Sequence, residues 1–171
     1  SADAWTWSWS ATVQGSAMAL FAPEVGEPVE LEATVNGVAF RLLAEEVGRT
    51  RRFGENALAV SGRGLAAAID APLAPTMNFS SASDRTAQQL ASEALTLNGV
   101  GIGWAIEWGL VDWLVPGGVW AHQGSEISAI NTIAASVGGY VQPHRTAKSL
   151  RILHRYPAAP WDWADVTPDI V

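Results

Sequence analysis

The sequence predicts an α+β protein. A small antiparallel β-barrel or sheet comes first, and a small subdomain with two helices on an antiparallel sheet follows. Three observations predict this. Apolar residues recur at every second position in the first third of the chain. They recur at helical spacing around residues 87–95 and 127–137. The chain has 171 residues, 49% of them hydrophobic, which suffices for a packed core in one or two small units. The predicted organisation is a β-rich unit over 1–73, an α+β subdomain over 74–163 and a tail over 164–171.

The elements follow in order. Trp5-Thr6-Trp7-Ser8-Trp9-Ser10 alternates strictly, a strand period with indoles on one face and hydroxyls on the other. Such a strand needs a partner surface, either its own core or a neighbouring chain. Val29, Leu31, Ala33 and Val35 alternate with Glu30, Glu32 and Thr34, and Asn36-Gly37 follows. Asn-Gly between alternating runs signals a type I′ hairpin, because both turn positions need positive φ. The return strand is predicted over 38–47 and a further strand over 57–61. Between them, Arg49-Thr50-Arg51-Arg52 interrupts an acidic background. It reads either as a solvated loop or as a contact for an acidic partner.

Residues 65–70 fit one or two helical turns, and Pro72 and Pro75 then break regular structure. Residues 78–83 read as a polar loop. Asp84 is a candidate cap for a helix presenting Ala87, Leu90, Ala91, Ala94 and Leu95, with Asn98-Gly99 as its stop. Residues 100–108 read as extended and 112–118 as an irregular loop. Ser125 is placed to cap a second helix, with Ile127, Ile130, Ala134 and Val137 on one face and Gly138-Gly139 at its end. Strands over 140–142 and 149–156 flank a turn. The tail from Pro157 has no clear period.

Composition narrows the function. There is no Cys, which removes disulfide scaffolds, thiolate metal sites and a Cys nucleophile, and fits a reducing compartment. A net charge of -7 argues against electrostatic nucleic-acid binding. No apolar run has bilayer length and no secretory leader opens the chain, so neither a membrane nor export is expected. A first residue of Ser rather than Met fits a processed or excised piece.

The chemistry-bearing residues form no recognised active site. His122, His144 and His154 lack ligand spacing, and neither HExxH nor Gly-x-Ser-x-Gly occurs. Ser61-Gly62-Arg63-Gly64 lacks phosphate-loop spacing and reads as a tight turn with Arg63 available for an ion pair. Nine Trp stand out. Glu107 and Asp112 lie among Trp104, Trp108, Trp113 and Trp120, the arrangement of a sugar-binding or sugar-cleaving cleft, or of an ordinary aromatic core with two solvated acids. No catalytic residue, cofactor or metal is expected. Interface candidates are Trp5, Trp7, Trp9, Arg49, Arg51, Arg52, Trp113, Trp161 and Trp163.

Several segments in this order resemble the phage tail and baseplate hub proteins, grouped with the late control proteins of tailed phages. They are Phe53-Gly54, Val60-Ser61-Gly62-Arg63-Gly64-Leu65 and Thr86-Ala87-Gln88-Gln89-Leu90-Ala91. Further along come Asp112-Trp113-Leu114-Val115-Pro116, the helix with Gly138-Gly139, Tyr140-Val141-Gln142-Pro143-His144-Arg145, Leu150-Arg151-Ile152, Arg155-Tyr156-Pro157 and Pro160-Trp161-Asp162-Trp163. The order carries the likeness, over most of the chain. It implies a tube-type barrel joined to a small α/β domain, in a trimeric ring between tail tube and spike or fibre. Family hubs are longer, so later domains, including strands completing the first barrel, would be missing here. The resemblance implies a virion component assembled in the bacterial cytoplasm, with copies of itself and other tail proteins as partners. An acidic lumen would let DNA pass. Glu30 and Glu32 are lumen candidates or plain solvent-facing residues. A carbohydrate-binding or wall-degrading tail module is the second reading, with Glu107 or Asp112 as acid or base. A scaffold or regulatory binding domain unrelated to phage is the third.

Overall fold

The computed structural model describes residues 6–22, 28–53, 55–156, 158 and 161–162. The first sheet has four antiparallel strands in the order β1-β4-β3-β2: β1 (Ser8–Gln14), β2 (Val29–Val35), β3 (Val38–Arg52) and β4 (Glu55–Gly64). Asn36 (φ 51°) and Gly37 (φ 81°) make the β2–β3 turn, the left-handed pair that the dipeptide requires. Among the described residues the sheet is open, with β1 and β2 at its edges. The sheet form of the expectation holds, not the closed barrel.

Three boundaries differ from expectation, and one is that Ser61-Gly62-Arg63-Gly64 is no tight turn but the end of β4. β1 starts at Ser8, so Trp9 lies in the strand, Trp7 just before it, and Trp5 outside the described residues. Arg49, Arg51 and Arg52 are not in a loop. They extend β3 opposite Leu58, Asn56 and Glu55 of β4. Ladder hydrogen bonds need only backbone groups, so charge on the side chains does not end a strand.

The register explains the amphipathic sheet. Trp9, Gly62, Ala44 and Val29 lie directly opposite one another across all four strands, on one face. That face buries Ala44, Leu58 and Val60 beneath Trp9, Val13, Phe21, Val29 and Leu31. Phe21 arrives on a 3₁₀ helix, Gly15–Phe21. The opposite face carries Ser8, Ser10, Thr12, Glu30 and Glu32. A bulge between Ala44 and Glu46 leaves Glu45 unpaired on β3. Gly62 faces it. A Cβ there would run into the Leu43 carbonyl, so only glycine allows this approach.

A second 3₁₀ helix, Leu65–Ile69, follows β4 as expected. Its Leu65 and Ala67 cover Leu43 on the polar face of the sheet, together with Trp104. Its Ala66 and Ile69 join the larger core beyond. The backbone N–H of Arg41, just before the first β3–β4 pair at Leu42, donates to the Arg145 carbonyl (2.9 Å).

The remaining strands are β5 (Met77–Ser80), β6 (Arg85–Thr86), β7 (Thr96–Leu97), β8 (Val100–Gly101), β9 (Ala105–Trp108), β10 (Leu114–Val115), β11 (Ala121–Gly124), β12 (Gly139–Pro143) and β13 (Ser149–His154). The first half of the expected loop at 78–83 belongs to β5, paired with β11. Within the expected loop at 112–118, β10 pairs with β6. The order β12-β13-β9 makes a three-stranded sheet. It is not wholly antiparallel, because β9 runs parallel to β13, with Ile106 beside Leu150 and Trp108 beside Ile152.

Helix α1 (Ala87–Ala94) is capped by Thr86, not Asp84, in a capping box with Gln89. Asp84 accepts from the Gly117 N–H at 2.9 Å. Helix α2 (Glu126–Ala135) is capped by Ser125, as expected. Asn98-Gly99 does not stop α1; both residues have positive φ in the β7–β8 hairpin turn. Leu90, Ala91, Ile127, Ile130, Leu150 and Ile152 sit at the centre of the larger core. Val137 is the exception on the predicted α2 face, since it lies past the last helical turn and is exposed.

Candidate interaction surfaces

The first surface is the end of the first sheet. Trp7 and Trp9 are half-buried. Trp7 meets Phe40 edge to face, centroids 5.8 Å apart, and its carbonyl accepts from Gly64 N–H at 2.7 Å. Trp9 donates its indole N–H to the Leu43 carbonyl at 3.1 Å, just before the bulge. These indoles therefore pack within the chain and leave only part of their edges to solvent.

The second surface is the β3–β4 hairpin. Arg49 Nε donates to Asn56 Oδ1 at 3.3 Å across the two strands. Arg51 and Arg52 stand opposite Asn56 and Glu55 in register. Phe53 lies at the tip and is fully exposed. Sequence reasoning read Phe53 only as part of a family resemblance. Its signal was an aromatic ring directly after a basic run, ahead of Gly54.

The third region holds the remaining indoles. Trp104, Trp108, Trp113 and Trp120 all pack against the larger core and are half-buried. Trp108 and Trp113 lie 5.9 Å apart at a tilt. Trp108 and Trp120 bury their Nε1 atoms without a protein partner. Trp161 is 82% exposed, whereas Trp163, like Trp5, falls outside the described residues. The acids do not converge with the rings as a cleft. Glu107 accepts from the Ser149 hydroxyl at 3.1 Å and lies 3.7 Å from Arg151. Asp112 accepts from the N–H groups of Gln88 and Trp113, both at 3.0 Å. Desolvation pushes the Asp112 carboxyl upward, but its hydrogen bonds from Gln88, Thr86, Trp113 and Ala87 outweigh that and hold its pKa below the ordinary value. It acts as a helix-end acceptor.

The ion pair expected of Arg63 forms, within a wider polar network that reaches the α2 cap. Arg63 contacts Glu45, Asp70 (2.9 Å) and the Ala71 carbonyl (3.1 Å). The hydrogen bond to Glu45 is the main cause of a raised Arg63 pKa. Ser125, the α2 cap, donates to Asp70 at 3.0 Å. Nearby, His122 Nε2 lies 2.8 Å from the Ser128 hydroxyl, and its Nδ1 lies 3.3 Å from Thr132. The Ser128 and Thr132 hydroxyls donate to the carbonyls of Ser125 and Ser128, as polar side chains on helices commonly do. Their protons are committed to the helix backbone. Among the described residues no group of His, Cys, Asp and Glu is arranged to hold a metal ion, and no helix is long and apolar enough to cross a membrane.

No protein-family model matches the chain, and no curated protein does. Among solved structures, the chain is similar in fold to the crystal structure of a tail protein from Neisseria meningitidis MC58. The TM-score is 0.58 and the identity 18%, over 85% of this chain. The match spans 41% of the length of that protein.

Proposed function

We propose that this chain is a structural part of a phage or prophage tail, a hub or baseplate piece linking the tail tube to the tip or spike. The fold likeness to a solved tail protein over 85% of the chain carries this reading. The residue order shared with the hub proteins supports it from the sequence side. In this reading the chain performs no chemistry. It works by fitting against copies of itself, in a ring, and against neighbouring tail proteins. Sheet edges and partly exposed aromatic side chains supply the contacts. The open first sheet suits a unit whose edge strands β1 and β2 meet further strands, from the same protein or from a neighbour.

The sugar-cleft reading draws no support from the indoles. Trp104, Trp108, Trp113 and Trp120 use their area on the core, and a stacking platform needs a free ring face.

The test is localisation in the particle. Tail particles purified from cells expressing an epitope-tagged copy should carry the tag at one end of the tail tube in immunogold images. A tag absent from particles, or spread along the tube, would defeat the hub assignment.

A further inference from the structure

All seventeen Asp and Glu residues lie outside 127–161, while four of the ten Lys and Arg residues, Arg145, Lys148, Arg151 and Arg155, lie within it. An acidic chain thus carries one acid-free, cationic stretch. It forms most of α2, then β12, a turn at 144–148 and β13. Arg41, Arg49, Arg63, Arg85 and Arg151 each meet a side-chain acceptor. The side chains of Arg145 and Lys148 meet none among the described residues. β2 and β9 bring Glu30 and Glu107 into this region, but Arg41 holds the first at 2.9 Å and Ser149 the second at 3.1 Å.

The turn that carries this free pair is fixed. The His144 N–H donates to the Ser149 carbonyl at 2.9 Å, and the Ser149 N–H donates back to Ala147 at 2.8 Å. His144 Nδ1 accepts from the N–H groups of Thr146 and Ala147 at 3.2 and 3.0 Å. The Arg145 carbonyl accepts from Arg41 of β3, and the Lys148 carbonyl from Ala105 of β9, both at 2.9 Å. A backbone set in this way needs little further ordering when a partner arrives. Cations without an internal acid can pair outward without first breaking a bond within the fold. Two of them cannot hold a polyphosphate against a net charge of -7, because nucleic-acid affinity grows with the number of phosphates neutralised. A short carboxylate-bearing segment suits them, since its charge is local.

We infer that the 144–148 turn is a docking point for an acidic segment of another protein. Arg145 takes one carboxylate through its fork and Lys148 takes a second as a point charge. The inference stands on charge and rigidity and does not rest on the tail reading.

The test is fluorescence anisotropy of the full chain with a labelled oligoglutamate peptide. An oligothymidylate of equal charge is the second probe. The wild type should bind the peptide saturably, and roughly fivefold more weakly as salt rises from about 0.05 to about 0.3 M. Arg145→Gln with Lys148→Gln should weaken binding about tenfold, and each single variant about threefold. Arg49→Gln with Arg85→Gln removes the same formal charge elsewhere and should stay within about twofold. Circular dichroism establishes that the variants fold. If the double variant loses structure, the single variants carry the comparison. A wild type that ignores the peptide overturns the inference, as does a control pair that loses as much as the turn pair. Tighter binding of the oligothymidylate overturns it too, in favour of nucleic acid. Tag position in tail particles is a separate readout, so these outcomes leave the tail reading standing.

Discussion

Arg63 grips Glu45 through two parallel hydrogen bonds, Nη2 to Oε1 at 2.7 Å and Nε to Oε2 at 2.9 Å. Glu45 is the residue that the β3 bulge leaves without a partner on β4, and Arg63 is the penultimate residue of β4. The bulge thus presents a carboxylate to the strand end, and the free side of the same guanidinium reaches Asp70. One side chain ties the sheet to the chain leaving it.

Replacing Arg63 takes away the cation shared by two partly buried carboxylates, Glu45 and Asp70. Arg63→Ala should destabilise the fold by about 2 kcal/mol, and Arg63→Lys by roughly half as much, since an ammonium keeps the charge but not the fork. Urea titration followed by Trp fluorescence measures both. Equal losses would show that fork geometry carries the whole effect.

Gly62→Ala should cost about 3 kcal/mol or prevent folding, because the added methyl runs into the Leu43 carbonyl across the bulge. Gly48→Ala on β3 is the control. Its Cβ would meet only Ala59 atoms at ordinary van der Waals distance, 3.8–4.0 Å. Thermal melts of the two variants should differ widely.

Trp9 separates packing from hydrogen bonding. Trp9→Phe keeps a ring over Gly62 and Ala44 but leaves the Leu43 carbonyl without its indole donor, at about 1 kcal/mol. Trp9→Ala removes the ring as well, and about 3 kcal/mol is expected. Denaturation midpoints at constant slope test the ordering.

Glu126 sets a pH dependence. It is the first residue of α2, 7% exposed, and its Oε2 has no partner. Desolvation raises its pKa above the ordinary glutamate value. The folded state therefore holds this proton more tightly than the unfolded state. The resulting stability is fully present below the unfolded pKa and is lost as pH rises through the folded one. Glu126→Gln should flatten that slope and raise stability at pH 7 by about 1 kcal/mol. Denaturation midpoints between acidic and neutral pH measure it.

Asp112 works in the opposite sense. Its lowered pKa contributes stability above the unfolded value, lost as pH falls through the folded one. Asp112→Asn should remove that acid-side loss. Because the carboxylate is exposed, only about 0.5 kcal/mol is expected at neutral pH. The same titration, run further into acid, resolves it from Glu126.

The legible parts of this fold were those with local causes. Asn36-Gly37 dictates its own turn, and Ser125 with Ile127 and Ile130 dictates the start and face of α2. Pairings made across long sequence separations left no local mark. β5 is four residues long and becomes a strand only because β11 lies beside it. The parallel neighbour of β9 is β13, on the far side of α2. Asn98-Gly99 misled for a related reason. Its positive-φ signal was correct, but a hairpin turn and a helix stop share that signal. Among the interface candidates, clustering of Trp in sequence could not tell a ring spent on a core from a ring left to a partner. Trp113 and Trp161 differ in that respect only once packing is known.

The strand order also bears on synthesis. β1 leaves the ribosome well before its neighbour β4, since Ser8 pairs with Arg63. β9 likewise waits for β13. In each interval a tryptophan-bearing strand lacks its hydrogen-bonding neighbour, and late-arriving partners slow productive closure. Rapid expression should therefore drive this chain into insoluble deposits more readily than its finished stability suggests, and lowering the translation rate should relieve it.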